Sequence, residues 1–371
     1  MEITLLEPFY TGSHAAWADE LVRQSRHQIN VLSLSGHNWK WRMHGGAVTL
    51  ARRYLECDQT PDLILASDML DLSTFLALTR KKTAHLPTAI YFHENQLTYP
   101  WSPHDLASRE KRDLHYGFIN YSSALSADTL LFNSDYHREA FTGDLPRFLK
   151  TLPDHNEMAS IETIRNKSQV LPLGLDLQRF DAHRPEQSDD SNRPPLILWN
   201  HRWEYDKNPQ EFFQALYRLQ DEGGNFEVAL LGESFANNAP PFLEAKRRLG
   251  KRIVQYGYAD SFADYARWLW RADILPVTSI HDFFGASVVQ AIYCQTLPLL
   301  PKRLAYPEHI PAQHHDQFFY TDEDDFLSRL RNLLTNRRSP DKNMLRNFVT
   351  EYDWETQITQ YDTLFDRIIA S

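Results

Sequence analysis

Two basic side chains in the second half of the chain could hold a multiply charged anion. Arg202 and Lys207 lie in the segment 199–209, where a strand is expected to end at Trp199 and a helix to follow. A planar guanidinium and a compact ammonium on one connection suit a diphosphate. Two exposed cations without a ligand are the alternative interpretation of this pair.

A second polar segment, 278–291, reads Thr-Ser-Ile-His-Asp-Phe-Phe-Gly-Ala-Ser-Val-Val-Gln-Ala. It predicts a strand end, a loop that carries Asp282, and a turn at Phe284-Gly285 that opens a helix. The N–H groups at such a helix start favour phosphate. Gln290 lies about two helical turns beyond Asp282, so both side chains can face one ligand.

Glycines at two other strand ends would let a ligand approach the backbone closely. Gly232, followed by Glu233, closes an apolar run, and a simple strand-end turn explains it equally well. Gly12 opens the first turn between a strand and a helix, and His14 lies close to that helix start. A helix capped at Ser13 is the structural alternative there.

The segment Trp39-Lys40-Trp41-Arg42 interleaves aromatic rings with cations. Such a composition can stack a nucleobase and hold a phosphate. Alternate positions on an extended segment point the same way, so Trp39 and Trp41 are expected to share a face. Core tryptophans beside solvated cations are the alternative interpretation.

Short apolar runs alternate with helical patterns along the chain, which predicts an α/β fold with parallel sheets covered on both faces. The predicted strands lie at 3–9, 29–34, 63–66, 89–92, 129–132, 169–173, 196–199, 226–231, 253–256, 274–277 and 297–300. The predicted helices lie near 15–25, 46–56, 71–81, 109–125, 134–142, 208–222, 240–250, 260–271, 284–295, 322–336 and 341–350. Ligands bind beyond the carboxyl ends of strands in such sheets, so polar residues there are site candidates.

The polar stretch 181–195 contains three prolines and is the best candidate for a linker. It separates a predicted first domain, 1–180, from a second, 196–354. The last segment, 355–371, has apolar residues at helical spacing and is predicted to form an amphipathic helix. The α/β architecture therefore occurs twice.

The composition excludes several classes of protein. The 371 residues carry 39 Lys and Arg against 49 Asp and Glu, a net charge of −10, so general nucleic-acid binding is not expected. Basic clusters at 80–82, 109–112, 246–248 and 251–252 still allow a local RNA contact. No run approaches about 18 apolar residues, and the N-terminus lacks a basic region, so neither a membrane helix nor a signal peptide is expected. The two cysteines make no disulfide framework, and we expect a cytoplasmic protein without a membrane partner.

The motifs of the second half, taken in order, resemble the donor domain of family 4 retaining glycosyltransferases, which have the GT-B fold. In that family an Arg and a Lys hold the donor diphosphate, and Arg202 and Lys207 match them. A downstream acid-x7-acid motif contacts the donor sugar and the ribose, and Asp282 and Gln290 stand at its two positions. The chain departs from the pattern here, since Asp replaces the usual Glu and Gln replaces the second acid. A glutamine can still hydrogen-bond a ribose diol.

Motifs of the first half narrow this resemblance. Segment 93–100 reads His-Glu-Asn-Gln-Leu-Thr-Tyr-Pro, and segment 201–207 reads His-Arg-Trp-Glu-Tyr-Asp-Lys. With the strand end at 7–14 they are similar to the tRNA-queuosine α-mannosyltransferase family, over nearly the whole chain. Members of that family modify queuosine in the anticodon of aspartate tRNA and use GDP-mannose.

The resemblance implies two Rossmann-like domains with a cleft between them and a C-terminal helix that packs back on the first domain. It implies transfer of a hexose with retention of configuration, by front-face attack in which the leaving diphosphate assists removal of the acceptor proton. It implies no metal and no other cofactor, because the nucleotide-sugar, expected to be GDP-mannose, is a co-substrate. The expected partner is queuosine-containing tRNA.

The residues and the resemblance together predict three sets of site residues. Catalytic roles are expected for His93, Arg202, Lys207 and Asp282. Donor-binding roles are expected for Gly12, His14, Arg202, Lys207, Gly232, Glu233, Asp282, Phe284, Gly285 and Gln290. Acceptor-binding roles are expected for Trp39, Trp41, Arg42, Glu94, Asn95, Gln96, Tyr99, His115 and Tyr116. Purely structural roles are the alternative for Tyr99, His115 and Tyr116.

Two other functions remain open on the sequence. A family 4 glycosyltransferase with another nucleotide-sugar could act on a lipid or glycan, which would call for a basic amphipathic helix on the first domain. No convincing helix of that kind is found. The third function is a GT-B protein that binds nucleotide or RNA without turnover, which Asp282 and Gln290 suggest and which Arg202, Lys207 and His93 oppose.

Overall fold

A computed structural model describes residues 1–58, 60–100, 114–186, 193–233, 240–335 and 342–370. The chain divides into two compact units, Met1–Leu175 with Trp354–Ser371, and Asp176–Asp353. The division falls five residues before the predicted end of the first domain at 180. A short 3-10 helix at Gln178–His183 belongs to the second unit because Phe180 packs against that unit's own aromatic residues. Two predicted features fall outside the described residues: part of the linker, 187–192, and the basic cluster 109–112.

The first unit is built on a parallel sheet with the strand order β2-β1-β3-β4-β5-β6. Its strands are β1 (Glu2–Tyr10), β2 (Gln28–Ser35), β3 (Leu63–Ser67), β4 (Thr88–Phe92), β5 (Thr129–Phe132) and β6 (Ser168–Val170). Its first helices are α1 (Gly12–Gln24), α2 (Trp39–Glu56), α3 (Leu72–Thr83), α4 (His115–Ser126), α5 (Asp135–Leu149) and α6 (Ser160–Asn166). The central strands β3 and β4 are buried at every position and apolar except at Ser67 and Thr88, as expected when helices cover both faces.

The second unit repeats the architecture with the strand order β12-β11-β10-β7-β8-β9. Its strands are β7 (Leu196–Trp199), β8 (Glu227–Leu230), β9 (Ile253–Tyr256), β10 (Ile274–Pro276), β11 (Leu297–Pro301) and β12 (Phe319–Tyr320). Its helices are α7 (Pro209–Asp221), α8 (Pro240–Leu249), α9 (Phe262–Arg271), α10 (Ala286–Tyr293), α11 (His315–Phe318), α12 (Glu323–Thr335) and α13 (Lys342–Val349). All described strand pairs are parallel.

The last helix, α14 (Trp354–Ala370), belongs to the first unit. The Tyr361 hydroxyl lies within hydrogen-bond distance of three partners there: the Tyr91 hydroxyl at 3.1 Å, the Pro172 carbonyl at 3.0 Å and the Trp17 indole nitrogen at 3.2 Å. Trp17 and Tyr91 stack with ring centroids 4.7 Å apart. The helix thus completes the aromatic packing beneath the end of β4.

The predicted strands and most helices agree with the structure, but α2 starts earlier than expected. The predicted helix began at 46, whereas α2 begins at Trp39, so the segment 39–42 is helical and not extended. The expectation that Trp39 and Trp41 share a face is therefore wrong, because residues two apart on a helix point about 200° apart. Among the described helices, none is long and apolar enough to cross a lipid bilayer.

Candidate functional site

The strand order of the first unit reverses direction between β1 and β3, and a cluster of polar side chains lies at the ends of these strands and of β4. Glu7, in β1, is completely buried, and its Oε2 lies 3.1 Å from Nδ1 of His14 on α1. Burial would lower the pKa of His14, but the Glu7 carboxylate outweighs burial and raises that pKa to about 9. His14 is therefore an imidazolium at neutral pH.

His93, the first residue after β4, faces this ion pair. Its ring centroid lies 4.3 Å from that of His14, and its Nε2 is buried without a hydrogen-bond partner in the described part of the chain. Burial and the neighbouring positive charge of His14 hold the pKa of His93 well below its usual range. The pair combines a charged imidazole with a neutral one that can still exchange a hydrogen bond with a ligand.

The loop that carries His93 is held by buried side chains of the neighbouring strand ends. The backbone N–H of His93 donates to Asp68 at 2.8 Å, and Asn133 donates to the His93 carbonyl at 3.0 Å. Burial raises the pKa of Asp68 to about 8, with His14 acting against the rise. The Asn95 oxygen accepts from the backbone of Leu97 at 3.1 Å. The position of His93 is thus set by the fold and not by a mobile loop.

Glu7, His14 and His93 each offer a potential metal-ligand atom, and these three atoms lie within 4.8 Å of one another. A metal ion there would have to displace the proton that Glu7 stabilises on His14. The same atoms fit an ion pair beside a neutral imidazole without any ion. The donor set alone therefore makes no demand for a metal.

The predicted acceptor residues fall into two groups. Glu94 and Gln96 follow His93, and Gln96 Nε2 donates to Glu94 at 2.8 Å. Asn95 is fully buried, and Tyr99 is half-buried on the same loop. All four residues lie on the loop that follows His93.

The second group lies around the start of α2. Trp41 is 64% exposed, whereas Trp39 is half-buried against Tyr116, with ring centroids 5.2 Å apart. Arg42 is turned to the end of β2, where its Nε donates to the Ser35 carbonyl at 3.0 Å. His115 stacks on His44 of α2, with ring centroids 4.4 Å apart. Trp41 is thus not a core residue, while Trp39 and Tyr116 have packing roles.

In the second unit the strand order reverses between β7 and β10, and Lys207 lies there in an ion-pair cluster. Its Nζ lies 3.1 Å from Asp206 and 3.3 Å from Asp282, and it donates to the His281 carbonyl at 2.9 Å. Burial would lower the pKa of Lys207, but the carboxylates of Asp282 and Asp206 outweigh it and raise the pKa. Burial would likewise raise the pKa of Asp282, and Lys207 with two nearby histidines lowers it instead. The cluster carries two acids and one ammonium when no ligand is bound.

The turn before α10 has the predicted form. Gly285 is the N-cap residue of α10 with a left-handed φ of 92°, and Phe284 is buried beside it. The carbonyl of Phe284 accepts from the buried His309, and the Tyr306 hydroxyl donates to Asp282 at 3.3 Å. These contacts hold Phe284 and Asp282 in the segment that leads into α10.

A cavity of about 500 Å³ opens beside these strand ends, entirely within the second unit. Its lining joins four predicted donor residues, Arg202, Gly232, Glu233 and Gln290, with seven others, Asn200, Tyr258, Ala259, Asp260, Ser261, Phe262 and Tyr265. A volume of this order is typical of small-molecule sites. Lys207, Asp282, Phe284 and Gly285 are not part of the lining.

Gly232 allows the segments that follow β7 and β8 to approach each other closely at the cavity. Its φ is 109°, and a Cβ atom at this position would lie only 1.9 Å from the His201 carbonyl oxygen. Only glycine therefore allows the β7 and β8 ends to meet. Arg202 next to this contact is about half exposed and pairs with Glu204 at 3.5 Å. Arg202 is also part of the cavity lining.

Sequence reasoning missed the residues that β9 and α9 bring to the cavity. Tyr258 and Asp260 lie on the connection after β9, and Tyr265 lies on the first turn of α9. Glu7 and Asp68 were also missed. A lone acid inside the apolar run of β1 and a Ser-Asp pair at the end of β3 were the available signals.

A family model described as tRNA-queuosine alpha-mannosyltransferase N-terminal matches residues 2–175. A tRNA-queuosine alpha-mannosyltransferase of Drosophila melanogaster is 32% identical over 318 residues, which cover 84% of this chain and 82% of that protein. The similarity therefore extends well into the second unit.

Solved structures with the same architecture are much less similar in sequence. Anabaena HepE in complex with UDP is 16% identical with a TM-score of 0.68, covering 99% of this chain and 100% of that one. A UDP-forming trehalose-phosphate synthase from Burkholderia xenovorans is 12% identical with a TM-score of 0.69, covering 100% and 98%. These likenesses show the GT-B fold, which confirms the predicted fold class.

Proposed function

Because this chain belongs to the tRNA-queuosine alpha-mannosyltransferase family, we propose that it transfers mannose from GDP-mannose to the cyclopentenediol of queuosine in tRNA, with aspartate tRNA as the expected substrate. That it is a hexosyltransferase follows from the family and the fold. The donor, the acceptor and the retention of configuration are the proposal.

The cavity of the second unit is the observation that supports a nucleotide-sugar donor. Arg202 and Gly232 lie on its lining, and a guanidinium beside a close backbone approach fits a diphosphate. Tyr258 and Phe262 offer aromatic surface, and Gln290 offers a carboxamide, as a nucleoside would require. We infer that the diphosphate lies at the Arg202 end and that the nucleoside occupies the rest.

Guanine suits the polar groups of this cavity. It presents two adjacent N–H donors, which one carboxylate can accept together, whereas uracil presents a single N–H between two acceptors. The cavity carries two carboxylates, Glu233 and Asp260. This chemistry supports GDP as the nucleotide portion of the donor.

Charge neutralisation during transfer is assigned to side chains. Lys207 is protonated and buried between Asp206 and Asp282, so it is preorganised and needs little rearrangement to stabilise a leaving diphosphate. In front-face transfer the bond from the sugar to the diphosphate breaks, the acceptor oxygen bonds to the same face, and the leaving diphosphate takes the acceptor proton. No metal or other cofactor is part of this proposal.

The His93 cluster of the first unit is assigned to orienting the reacting sugar. A buried imidazole Nε2 without a partner in the described residues can exchange a hydrogen bond with a sugar hydroxyl, and the His14 imidazolium can face an anionic group. Trp41, exposed and beside Lys40, is assigned to the tRNA side. An aromatic platform can replace the stacking that an anticodon base loses.

The test is incubation of the purified chain with nucleotide-sugars and tRNA, followed by nucleoside mass spectrometry. Queuosine-containing tRNA with GDP-mannose should give a nucleoside heavier by one hexose. tRNA lacking queuosine is the matched control and should give none. A product only with a lipid or glycan acceptor would establish the second candidate function. Nucleotide binding without any product would establish the third, and either result would overturn the proposal.

A further inference from the structure

Two carboxamides in the cavity meet at a single tyrosine hydroxyl. Tyr265, in the first turn of α9, donates from its hydroxyl to Gln290 Oε1 at 2.8 Å. Asn200, directly after β7, directs its Nδ2 to the same hydroxyl at 3.4 Å and to the Ser287 carbonyl at 2.8 Å. All three side chains of this triad, Asn200, Tyr265 and Gln290, line the cavity.

The hydrogen-bond directions in the triad follow from the partners. The Ser287 carbonyl can only accept, so Asn200 must present its nitrogen on that side and its oxygen on the other. The Tyr265 hydroxyl oxygen faces Asn200 Nδ2 and can accept from it. The Tyr265 hydroxyl proton is therefore donated to Gln290, which must present its carbonyl oxygen Oε1 to receive it. Burial raises the pKa of Tyr265, so the hydroxyl keeps its proton at neutral pH. Within the described part of the chain, Gln290 Nε2 is therefore the end that can donate to a ligand.

The triad leaves one donor and one acceptor for a ligand. Asn200 is 7% exposed, and its Oδ1 is buried with no hydrogen-bond partner in the described chain. A buried carbonyl oxygen of this kind is costly unless a ligand donates to it. A ribose hydroxyl can do both: its oxygen accepts from Gln290, and its proton goes to Asn200.

We propose that Tyr265 is a positioning residue that fixes Gln290 as a hydrogen-bond donor, so that Gln290 and Asn200 together select a ribonucleoside diphosphate by its ribose hydroxyls. This inference rests on the proposed donor function. It also gives Gln290 a defined role, because a neutral donor paired with a separate acceptor replaces the carboxylate that would accept from the diol. A site built to hydrogen-bond a hydroxyl rejects the analogue that lacks it.

The experiment measures the affinities of GDP, 2′-deoxy-GDP and 3′-deoxy-GDP by calorimetry on the full chain. The wild type should bind GDP at least about tenfold more tightly than the weaker deoxy analogue. Tyr265→Phe keeps the ring and removes only the hydroxyl, and it should lower this ratio at least threefold. Tyr293→Phe is the matched control, since it removes a buried hydroxyl that donates to Asp181 at 2.9 Å outside the cavity. It should leave the ratio unchanged.

A double-mutant comparison separates positioning from a general effect on the cavity. Tyr265→Phe should lower the ratio in the wild-type background but not in a Gln290→Ala background, because Tyr265 acts through Gln290. Asn200→Ala removes the proposed acceptor and should lower the ratio too, which keeps the test valid if Tyr265→Phe does not fold. A wild-type ratio of GDP affinity to deoxy-GDP affinity near one would overturn the inference, and so would a ratio that Tyr265→Phe leaves unchanged. In either case, binding of GDP itself would still support the proposed donor. Failure of the wild type to bind GDP at all would overturn the proposed donor as well.

Discussion

Lys207 and Asp282 form a buried ion pair in the second unit, with Nζ 3.3 Å from the carboxylate oxygen. Asp206 contacts the same ammonium at 3.1 Å, so two carboxylates share one cation. The acids keep Lys207 charged in a place where burial alone would favour the neutral amine. A diphosphate that reaches this ammonium meets a cation already fixed in position.

Replacement of Lys207 by Ala should lower kcat/KM by an amount equivalent to about 2–4 kcal/mol, as when one preorganised donor is lost. The change also leaves Asp206 and Asp282 buried without their partner, so unfolding must be monitored in parallel. Lys207→Arg keeps the charge and serves as the folding reference, and exposed Lys302→Ala is the matched control. Near-normal turnover in Lys207→Ala would contradict the assignment of Lys207 to the leaving diphosphate.

The donor base should be guanine, and Asp260 should contribute to the choice. In calorimetric titrations we expect GDP to bind more tightly than UDP, because a carboxylate can accept from both N–H groups of guanine. Asp260→Asn replaces one of the two acceptor oxygens of this carboxylate with a donor. It should lower the ratio of GDP affinity to UDP affinity at least threefold. Asp264→Asn, on the exposed first turn of α9 and outside the cavity lining, is the control. Tighter binding of UDP by the wild type would contradict the expected base.

How far the sequence predicts this molecule depends on the range of the contacts involved. The strands of both sheets except β12 follow from local apolar runs. The resemblance to a family assigned Arg202, Gly232 and Gln290 to one donor set, and the three residues line one cavity. The start of α2 could not be predicted, since two tryptophans and two cations resemble a strand as much as a helix.

Residues brought in from distant segments could not be found in this way. Tyr265 matters because its hydroxyl reaches Gln290, 25 residues away, and nothing in its own helix signals that contact. Glu7 is similar: a buried acid in a strand gains its meaning only when α1 places His14 beside it. Side chains that act through tertiary hydrogen bonds leave no periodic pattern.

Stability should decrease as the pH falls from about 6.5 to 4, and His309 should account for part of the loss. Burial lowers the pKa of His309 to about 4, although its bond to the Phe284 carbonyl acts the other way. A histidine with a depressed pKa binds its proton in the unfolded state first, so its contribution is complete above about pH 6.5 and disappears as the pH falls to 4. A pKa difference of this size between the folded and unfolded states corresponds to roughly 3 kcal/mol in the free energy of unfolding.

The measurement is urea unfolding of the wild type and of His309→Gln at pH 7 and pH 4.5. The variant should be less stable at pH 7 but should lose less stability on acidification, since it has no imidazole to protonate. His201 and His281 have pKa values lowered to about 4 as well, mainly by burial, and they remain in both proteins. Equal losses in wild type and variant would show that His309 is not the depressed group.

Binding of tRNA should weaken as salt rises, despite the net charge of −10. Phosphate contacts by a few cations release counterions, which makes the logarithm of affinity fall with the logarithm of salt concentration. Lys40, next to Trp41, is the first candidate, and Lys40→Gln should reduce the slope by about one. Lys302→Gln, at an exposed position of the second unit outside the basic clusters, is the comparison. An affinity without salt dependence would contradict an RNA substrate.

Trp41 should be required for tRNA but not for the nucleotide-sugar. Its side chain is 64% exposed on the first turn of α2 and lies over Gly45, so Trp41→Ala should change the free energy of unfolding little. Loss of an aromatic platform should weaken tRNA binding by roughly 1–3 kcal/mol, measured by a filter-binding or anisotropy titration. GDP affinity should be unchanged, because the cavity lies in the other unit. Leu55→Ala, at a 44% exposed position on the same helix, is the matched control and should leave tRNA binding as it is. Unaltered tRNA binding by Trp41→Ala would show that this tryptophan has no part in recognising the acceptor.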